Sequence, residues 1–229
     1  MRNIVTQSSF NTLLASSIHD VKNSLGMVIN TLDILLDDSG RPLDAKQISL
    51  LQFEARRINE NLIQLLALYK SENDLLTPHI DEHDVEEFLD ELIIQESHIA
   101  EAKGIQLSVE CDDGLIGYFD IDLMTGVLRN AIHNAIRHTK DSIRVVASEG
   151  SDKSLVIQVI DNGPGINEAL LTDKSAATDT IDHSNGGTGL GLHFCNIAAT
   201  LHTNRDKRGY ISIENRKDAS GAVFSIYIP

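Results

Sequence analysis

The chain has 229 residues, of which 41% are hydrophobic, and its formal net charge is −15. This acidity argues against a nucleic acid or an anionic membrane as the partner, because Lys and Arg hold those partners. Cys111 and Cys195 stand apart and form neither a disulfide framework nor a zinc motif, and no apolar stretch approaches the ~20 residues of a membrane span. We therefore expect a soluble, cytoplasmic protein without a membrane segment.

Two long helices are predicted at the start of the chain. Apolar residues of the first form a heptad seam at Leu14, Ile18, Val21, Leu25, Val28, Leu32 and Leu35. Residues 38–42 (DSGRP) break this pattern, and a second seam from Leu51 to Tyr69 predicts a helix over about 43–73. Two such helices predict an antiparallel hairpin, and since one hairpin cannot cover both seams, we expect a homodimer with a four-helix bundle.

Beyond a linker near residues 77–79 the pattern changes to mixed helices and strands. Helices are predicted over 85–103, where Gly104 ends the first, and over 122–138. Strands are predicted at 105–109 and at about 142–148, 154–160, 209–215 and 222–228. The predicted fold class is therefore α+β: a helical hairpin over residues 1–76, then an α/β sandwich over 77–229 with helices on one face of the sheet.

Two glycine boxes stand about twenty residues apart in the second part, at 161–165 (DNGPG) and 187–192 (GTGLGL). The first follows the predicted strand, so Asp161 should lie where the strand ends and a glycine turn brings the backbone close to a ligand. The second runs into a predicted helix over 192–199, whose free N-terminal amides suit phosphate. Either box alone is compatible with an ordinary turn, but together they predict a nucleotide site.

Two asparagines on the predicted helix before the first box share one helical face. Asn130 and Asn134 are one turn apart, and asparagine is not favoured inside helices. Their side chains are therefore predicted to point into a site, with simple solvent exposure as the alternative.

The order of these motifs resembles the transmitter core of the two-component sensor histidine kinases. The similarity covers nearly the whole chain from about residue 10: residues 19–23 (HDVKN) resemble the family's H box, 120–134 the lead-in to its N box, and the glycine boxes its G1 and G2 boxes. The resemblance implies a dimerisation and histidine-phosphotransfer hairpin followed by a GHKL-type ATPase domain. It further implies a kinase that uses ATP and Mg²⁺ to phosphorylate His19 and then a receiver-domain aspartate of a response regulator.

The resemblance also implies a role for each site residue. A neutral imidazole offers a nitrogen lone pair, so His19 is the expected phosphoacceptor, with Asp20 orienting its ring. Asn23 marks phosphatase competence, which suggests a bifunctional enzyme. Asn134 should hold Mg²⁺, with Asn130 beside it, and Asp161 should accept from the adenine amino group. The other expected ATP contacts are Arg137, His138, Gly163, Gly165, Thr188, Gly189, Leu190 and Gly191.

The segment between the glycine boxes departs from the family pattern. Residues 167–186 lack the phenylalanine of the family's F box and are rich in acidic residues, which favours a low kinase flux. A scaffold or dedicated phosphatase with a vestigial kinase site therefore stays open as an alternative, as does another ATPase of the same fold, gyrase-like or chaperone. Residues 1–13 are too short for a sensor domain, so either a separate protein supplies the input or the sequence is the core of a longer chain.

Overall fold

The structure, a computed structural model, describes residues 18, 21–32, 45–73, 75–166, 190–217 and 219–229. They belong to two compact units: the first contains the described residues up to Leu75 together with Leu190 and Gly191, and the second contains those from Leu76 to Ile166 and from Leu192 onward. The first is helical and the second mixes helices with a sheet, which confirms the predicted α+β class. Among the described helices, none has an apolar stretch long enough to cross a membrane.

The helical unit contains α1, described over residues 21–32, and α2, Ala45–Glu72. The bounds of α2 lie within two residues of the predicted ones. The turn predicted at 38–42 lies outside the described residues, so the antiparallel arrangement stays a prediction. Seam residues of both helices are exposed in the single chain: Ile18, Leu25, Leu32, Leu62 and Tyr69.

The described part of the second unit forms nine strands: β1 Asp81–Asp84, β2 Gln106–Cys111, β3 Ile116–Phe119, β4 Ser142–Glu149, β5 Leu155–Asp161, β6 Thr203–Asn204, β7 Lys207–Arg208, β8 Tyr210–Asn215 and β9 Ala222–Ile228. The main sheet has the order β2-β4-β5-β9-β8, with β2 parallel to β4 and the other neighbours antiparallel. Along β4, Ile143, Val145 and Ala147 are buried while Arg144 is exposed. Such alternation indicates that one face of the sheet carries the core.

Three helices complete this unit: α3 Val85–Ala102, α4 Ile121–His138 and α5 Leu190–Leu201, of which the residues from Leu192 onward belong to it. Helix α3 packs on β2, and α4 packs on β4 and β5. Helix α3 ends as predicted, because Gly104 has a φ of +70° and the Ile105 amide donates to the Ala100 carbonyl at 2.9 Å. The carboxylate of Asp120 caps α4 by accepting from the Leu123 amide at 3.0 Å.

Strands β1 and β3 were not predicted from the sequence. They form a separate antiparallel pair in which Asp81 lies opposite Phe119. Because β1 consists of Asp, Glu, His and Asp, it carries no apolar alternation that could identify it. Its partner supplies the driving force, since Phe119 is fully buried and its ring packs 5.0 Å from that of Phe88.

A buried histidine joins the end of α5 to the start of α4. The Asp120 amide donates to Nε2 of His202 at 3.0 Å, and Nδ1 of His202 donates to the Ala198 carbonyl at 2.7 Å. This pairing requires the neutral ring with its proton on Nδ1. Burial lowers the pKa of His202 below its ordinary value, and this effect outweighs the Ala198 hydrogen bond and the charge of Asp120, which both act to raise it.

We expect His202 to make the stability of this unit pH-dependent. Since its pKa is lower when folded, the unfolded chain takes up the proton first, and the stabilisation present above about pH 6.5 is lost as the pH falls through the folded pKa. The free energy of unfolding in urea should fall as the pH is lowered from about 7.5 to 5.5, and it should fall less in His202→Gln than in the wild type. The glutamine amide keeps a donor and an acceptor but does not titrate. An equal fall in both proteins would contradict this role.

Candidate nucleotide site

The site predicted from the first glycine box forms where β5 ends beside the end of α4. Asn162 joins the two elements: its Oδ1 accepts from the Thr139 hydroxyl at 2.8 Å and from the Ser142 amide at 3.2 Å. Its Nδ2 donates to the Asp141 carboxylate at 2.7 Å. The Asn162 side chain thus holds the box against the α4–β4 connection, a positioning role that the sequence did not reveal.

Asp161, as predicted, is the last residue of β5. Its carboxylate is buried at 8% exposure, and its Oδ1 accepts from the Gly163 amide at 2.7 Å. A Cβ on Gly163 would lie 2.2 Å from the His138 carbonyl oxygen, so only glycine fits there. Gly165 has a φ of +82°, in the left-handed region that favours glycine. Both glycines are therefore required by the backbone of the turn itself.

Replacing Gly163 by alanine should destabilise the second unit by about 3 kcal/mol, because the new Cβ would overlap backbone atoms of His138 that cannot rotate away. Gly26, in α1, is the control: a Cβ there meets nothing within 4 Å, so Gly26→Ala should stabilise its helix by about 0.5–1 kcal/mol. Thermal unfolding followed by circular dichroism compares the two variants. Equal unfolding temperatures for Gly163→Ala and the wild type would show that the turn tolerates a side chain.

Helix α4 carries the two asparagines one and two turns before its end at His138. Nδ2 of Asn134 donates to Oδ1 of Asn130 at 3.1 Å, and Asn134 is exposed. Arg137 and His138 lie exposed in the last turn. The end of α4 touches Gly163, and the amide and basic side chains all lie within about 12 Å of that end, measured along the helix axis. For His138, the contact with the glycine box is made by the backbone carbonyl.

A buried carboxylate of α3, that of Glu96, pairs with two basic side chains of α4. Glu96 is 4% exposed; its Oε2 accepts from Nε2 of His133 at 2.8 Å and its Oε1 from Nε of Arg129 at 3.1 Å. Burial acts to raise the pKa of Glu96, but His133 and Arg129 outweigh it and hold the pKa below its ordinary value. The sequence signal was available, because Glu96 occupies a position of the apolar stripe that includes Leu92 and Ala100.

Several predicted site residues lie outside the described residues, namely His19, Asp20, Thr188 and Gly189. Leu190 and Gly191 begin α5, which starts two residues earlier than predicted, and Leu190 is buried. Asn23 is exposed on α1 in the helical unit. The structure thus brings Asp161 and Gly163 against the end of the helix that carries Asn130 and Asn134.

Comparison with known proteins gives a consistent result. Residues 119–229 match the family model described as "Histidine kinase-, DNA gyrase B-, and HSP90-like ATPase". The chain is similar to Sensor protein BasS of Escherichia coli (strain K12), with 32% identity over 102 residues, 44% of this chain and 27% of BasS. It is also similar to Sensor histidine kinase TmoS of Ectopseudomonas mendocina, with 25% identity over 219 residues, 92% of this chain and 22% of TmoS. The chain thus spans about a quarter of the length of these curated relatives.

Solved structures share the fold. The histidine kinase AdeS of Acinetobacter baumannii aligns with a TM-score of 0.65 at 19% identity, covering 92% of this chain and 96% of that one. Histidine kinase ThkA, in a complex with response regulator protein TrrA, aligns with a TM-score of 0.64 at 18% identity, covering 98% of this chain and 63% of that one. At these identities the likeness shows the fold alone.

Proposed function

Since this chain is a transmitter core of the sensor histidine kinase family, with an ATPase domain of the GHKL type, we propose that it is an ATP-dependent kinase that phosphorylates His19. The phosphoryl group then passes to an aspartate of a response regulator. The observation that carries the proposal is the buried carboxylate of Asp161 in a turn packed on the end of α4.

Asp161 supports adenine recognition. Its Oδ1 is engaged by the Gly163 amide, and Oδ2 is the atom that accepts from the adenine amino group. A ligand that covers Oδ2 without donating to it would leave a carboxylate oxygen buried and unpaired, which is costly, so the site favours a base that offers a donor. Guanine carries a carbonyl where adenine carries its amino group and would face the carboxylate with a second acceptor. We therefore expect ATP to bind in preference to GTP.

The side-chain amides of Asn130 and Asn134 on α4 support the proposed binding of the ATP triphosphate. The hydrogen bond to Asn130 uses Nδ2 of Asn134 and leaves Oδ1, an oxygen ligand of the kind that Mg²⁺ prefers. Bound Mg²⁺ would neutralise part of the phosphate charge, and phosphoryl transfer requires mainly such neutralisation and the positioning of the reacting groups. Arg137 and His138 add basic groups in the last turn of α4. Leu190 and Gly191 at the start of α5, together with Thr188 and Gly189 of the second glycine box, would supply the remaining phosphate contacts. Arg137 thus places a positive charge at the end of α4 in a chain whose formal net charge is −15.

In the transfer step, the neutral imidazole of His19 attacks the γ-phosphorus of ATP. The new P–N bond forms as the bond between phosphorus and the bridging oxygen of ADP breaks, and the ring gives up its other proton, which Asp20 is placed in sequence to accept. A receiver aspartate then takes the phosphoryl group from the histidine. The structural relative ThkA, solved with a response regulator protein, supports this class of partner.

Incubation with γ-labelled ATP and Mg²⁺ tests the kinase. The wild-type protein is expected to acquire label that acid removes and base does not, as a phosphorus–nitrogen bond behaves, and to acquire much less from labelled GTP. Acid-stable label would contradict a phosphohistidine. ATP binding without any label would favour the scaffold or dedicated phosphatase.

We propose that a second copy of the chain packs against the apolar seams of α1 and α2. Leu25, Leu32, Leu62 and Tyr69 are each more than two-fifths exposed in the single chain. Two hairpins packed as a four-helix bundle would bury such seams against one another. We therefore propose a homodimer formed through the helical unit, with the ATPase domain beginning at about residue 77.

We also propose a phosphatase activity that depends on Asn23 of α1. Asn23 lies four residues after His19 in the sequence, a spacing that would place the two side chains on one face of a helix. There the Asn23 amide would orient a water against an aspartyl phosphate of the regulator. Asn23→Ala should abolish dephosphorylation of a phosphorylated receiver domain while autophosphorylation stays near the wild-type rate. Asn30→Ala, another exposed asparagine of α1, is the matched control and should keep both activities. Loss of both activities in Asn23→Ala would count against the assignment.

A further inference from the structure

The turn between β8 and β9 lies directly on the backbone of the first glycine box. The hydroxyl of Ser220 donates to the Gly163 carbonyl at 2.5 Å. Gly221 has a φ of +128°, and a Cβ on it would lie 2.0 Å from the Asp161 carbonyl oxygen. The turn therefore packs directly against the backbone of Asp161, which carries the carboxylate proposed to bind adenine, and of Gly163.

Asn215, the last residue of β8, holds the far end of the box. Its Oδ1 accepts from the Ile166 amide at 2.6 Å, and its Nδ2 donates to the Ile166 carbonyl at 2.8 Å. One side chain thus satisfies both polar groups of one residue, as a neighbouring strand would. Its Oδ1 also lies 2.7 Å from the place of a Cβ on Gly165, where φ is +82°.

We propose that Asn215 is a positioning residue for the nucleotide, an inference that rests on the proposed function. The near end of the box is held by Asn162, through Thr139 and Ser142, and the far end by Asn215. Gly163 lies between these two points, and Asp161 directly precedes the first of them. Fixing both ends presets the turn in the shape that the ligand needs, so binding does not have to order it.

Without Asn215, the amide and carbonyl of Ile166 lose their partners and the Gly165–Ile166 peptide is free to rotate. The Ser220 bond and the close packing of Gly221 still hold the middle of the box. The sheet itself is unaffected, because β8 pairs with β9 through backbone groups. Asn215→Ala should therefore weaken nucleotide binding far more than it lowers stability.

Titration calorimetry with ATP and Mg²⁺ tests the inference on the folded full chain. Asn215→Ala is expected to raise the dissociation constant about tenfold, as the loss of two such bonds predicts. Asn215→Asp, which keeps the acceptor for the Ile166 amide, should fall between Asn215→Ala and the wild type. Asn204→Ala, an exposed asparagine of β6, is the matched control and should bind like the wild type. Hydrogen exchange of the Ile166 amide without nucleotide should quicken in Asn215→Ala alone.

The outcomes separate this inference from the proposed function. If the wild type binds ATP and Asn215→Ala and Asn215→Asp both bind within about twofold of it, the role of Asn215 is overturned and the proposed function stands. If the wild type does not bind ATP, the proposed function falls and the inference falls with it. A dissociation constant raised equally in Asn204→Ala would also overturn the specific role of Asn215.

Discussion

Replacing His19 by glutamine is expected to abolish the incorporation of label from γ-labelled ATP while leaving ATP affinity at the wild-type value. Glutamine has a polar side chain of similar reach, but its amide nitrogen has no free lone pair with which to attack phosphorus. The ATP contacts proposed on Asn134 and Asp161 belong to the other unit and are not altered by the change. Loss of label with retained binding is therefore the signature of a phosphoacceptor rather than of a misfolded protein.

The control for this experiment is His79→Gln. The His79 side chain is 87% exposed and pairs with Asp81, far in sequence from both glycine boxes. That variant should incorporate label at the wild-type rate. Label that persists in His19→Gln would remove His19 from its assigned role, and label lost in both variants would point to a general effect of the substitution.

Replacing Asn134 by alanine is expected to slow autophosphorylation by about 100-fold or more, since a lost metal ligand costs several kcal/mol of transition-state stabilisation. Stability should change little, because Asn134 is exposed and gives up one hydrogen bond, to Asn130. Rates measured over a range of Mg²⁺ concentrations should show a raised Mg²⁺ requirement in the variant. Asn204→Ala, with the same change at a remote exposed site, should match the wild type.

A rate reduced less than about fivefold at every Mg²⁺ concentration would exclude Asn134 as a metal ligand. Asn130→Ala helps to separate the two asparagines. If Asn130 serves chiefly to orient Asn134 through their 3.1 Å hydrogen bond, its loss should reduce the rate by less than the loss of Asn134 does.

Helices and strands whose apolar residues repeat with a regular spacing could be predicted from the sequence. The stripe of α4 and the alternation of β4 are properties of residues a few positions apart, and their bounds agree with the predicted ones to within one residue. The stop at Gly104 was also predictable, because a left-handed φ favours glycine. The end of β5 at Asp161 followed from the same local reasoning, which placed the main carboxylate of the site.

Contacts between distant residues could not be predicted. Asn162 and Asn215 hold the two ends of the glycine box through partners 20 to 49 positions away, and spacing along a chain does not show such pairs. Strand β1 forms only because β3 offers it a partner, so its own residues give no signal. Glu96 is intermediate: its place in an apolar stripe marks it as unusual, but its partners Arg129 and His133 lie on another helix.

The central claim, that this chain phosphorylates its own His19 with ATP, is tested most directly by locating the phosphoryl group. Peptide mapping by mass spectrometry under neutral to alkaline conditions, after reaction with ATP and Mg²⁺, preserves a phosphorus–nitrogen bond. The phosphoryl group is predicted on an imidazole nitrogen of His19 and on no other residue. A phosphoryl group on another histidine, or on a serine or threonine hydroxyl, would contradict the account.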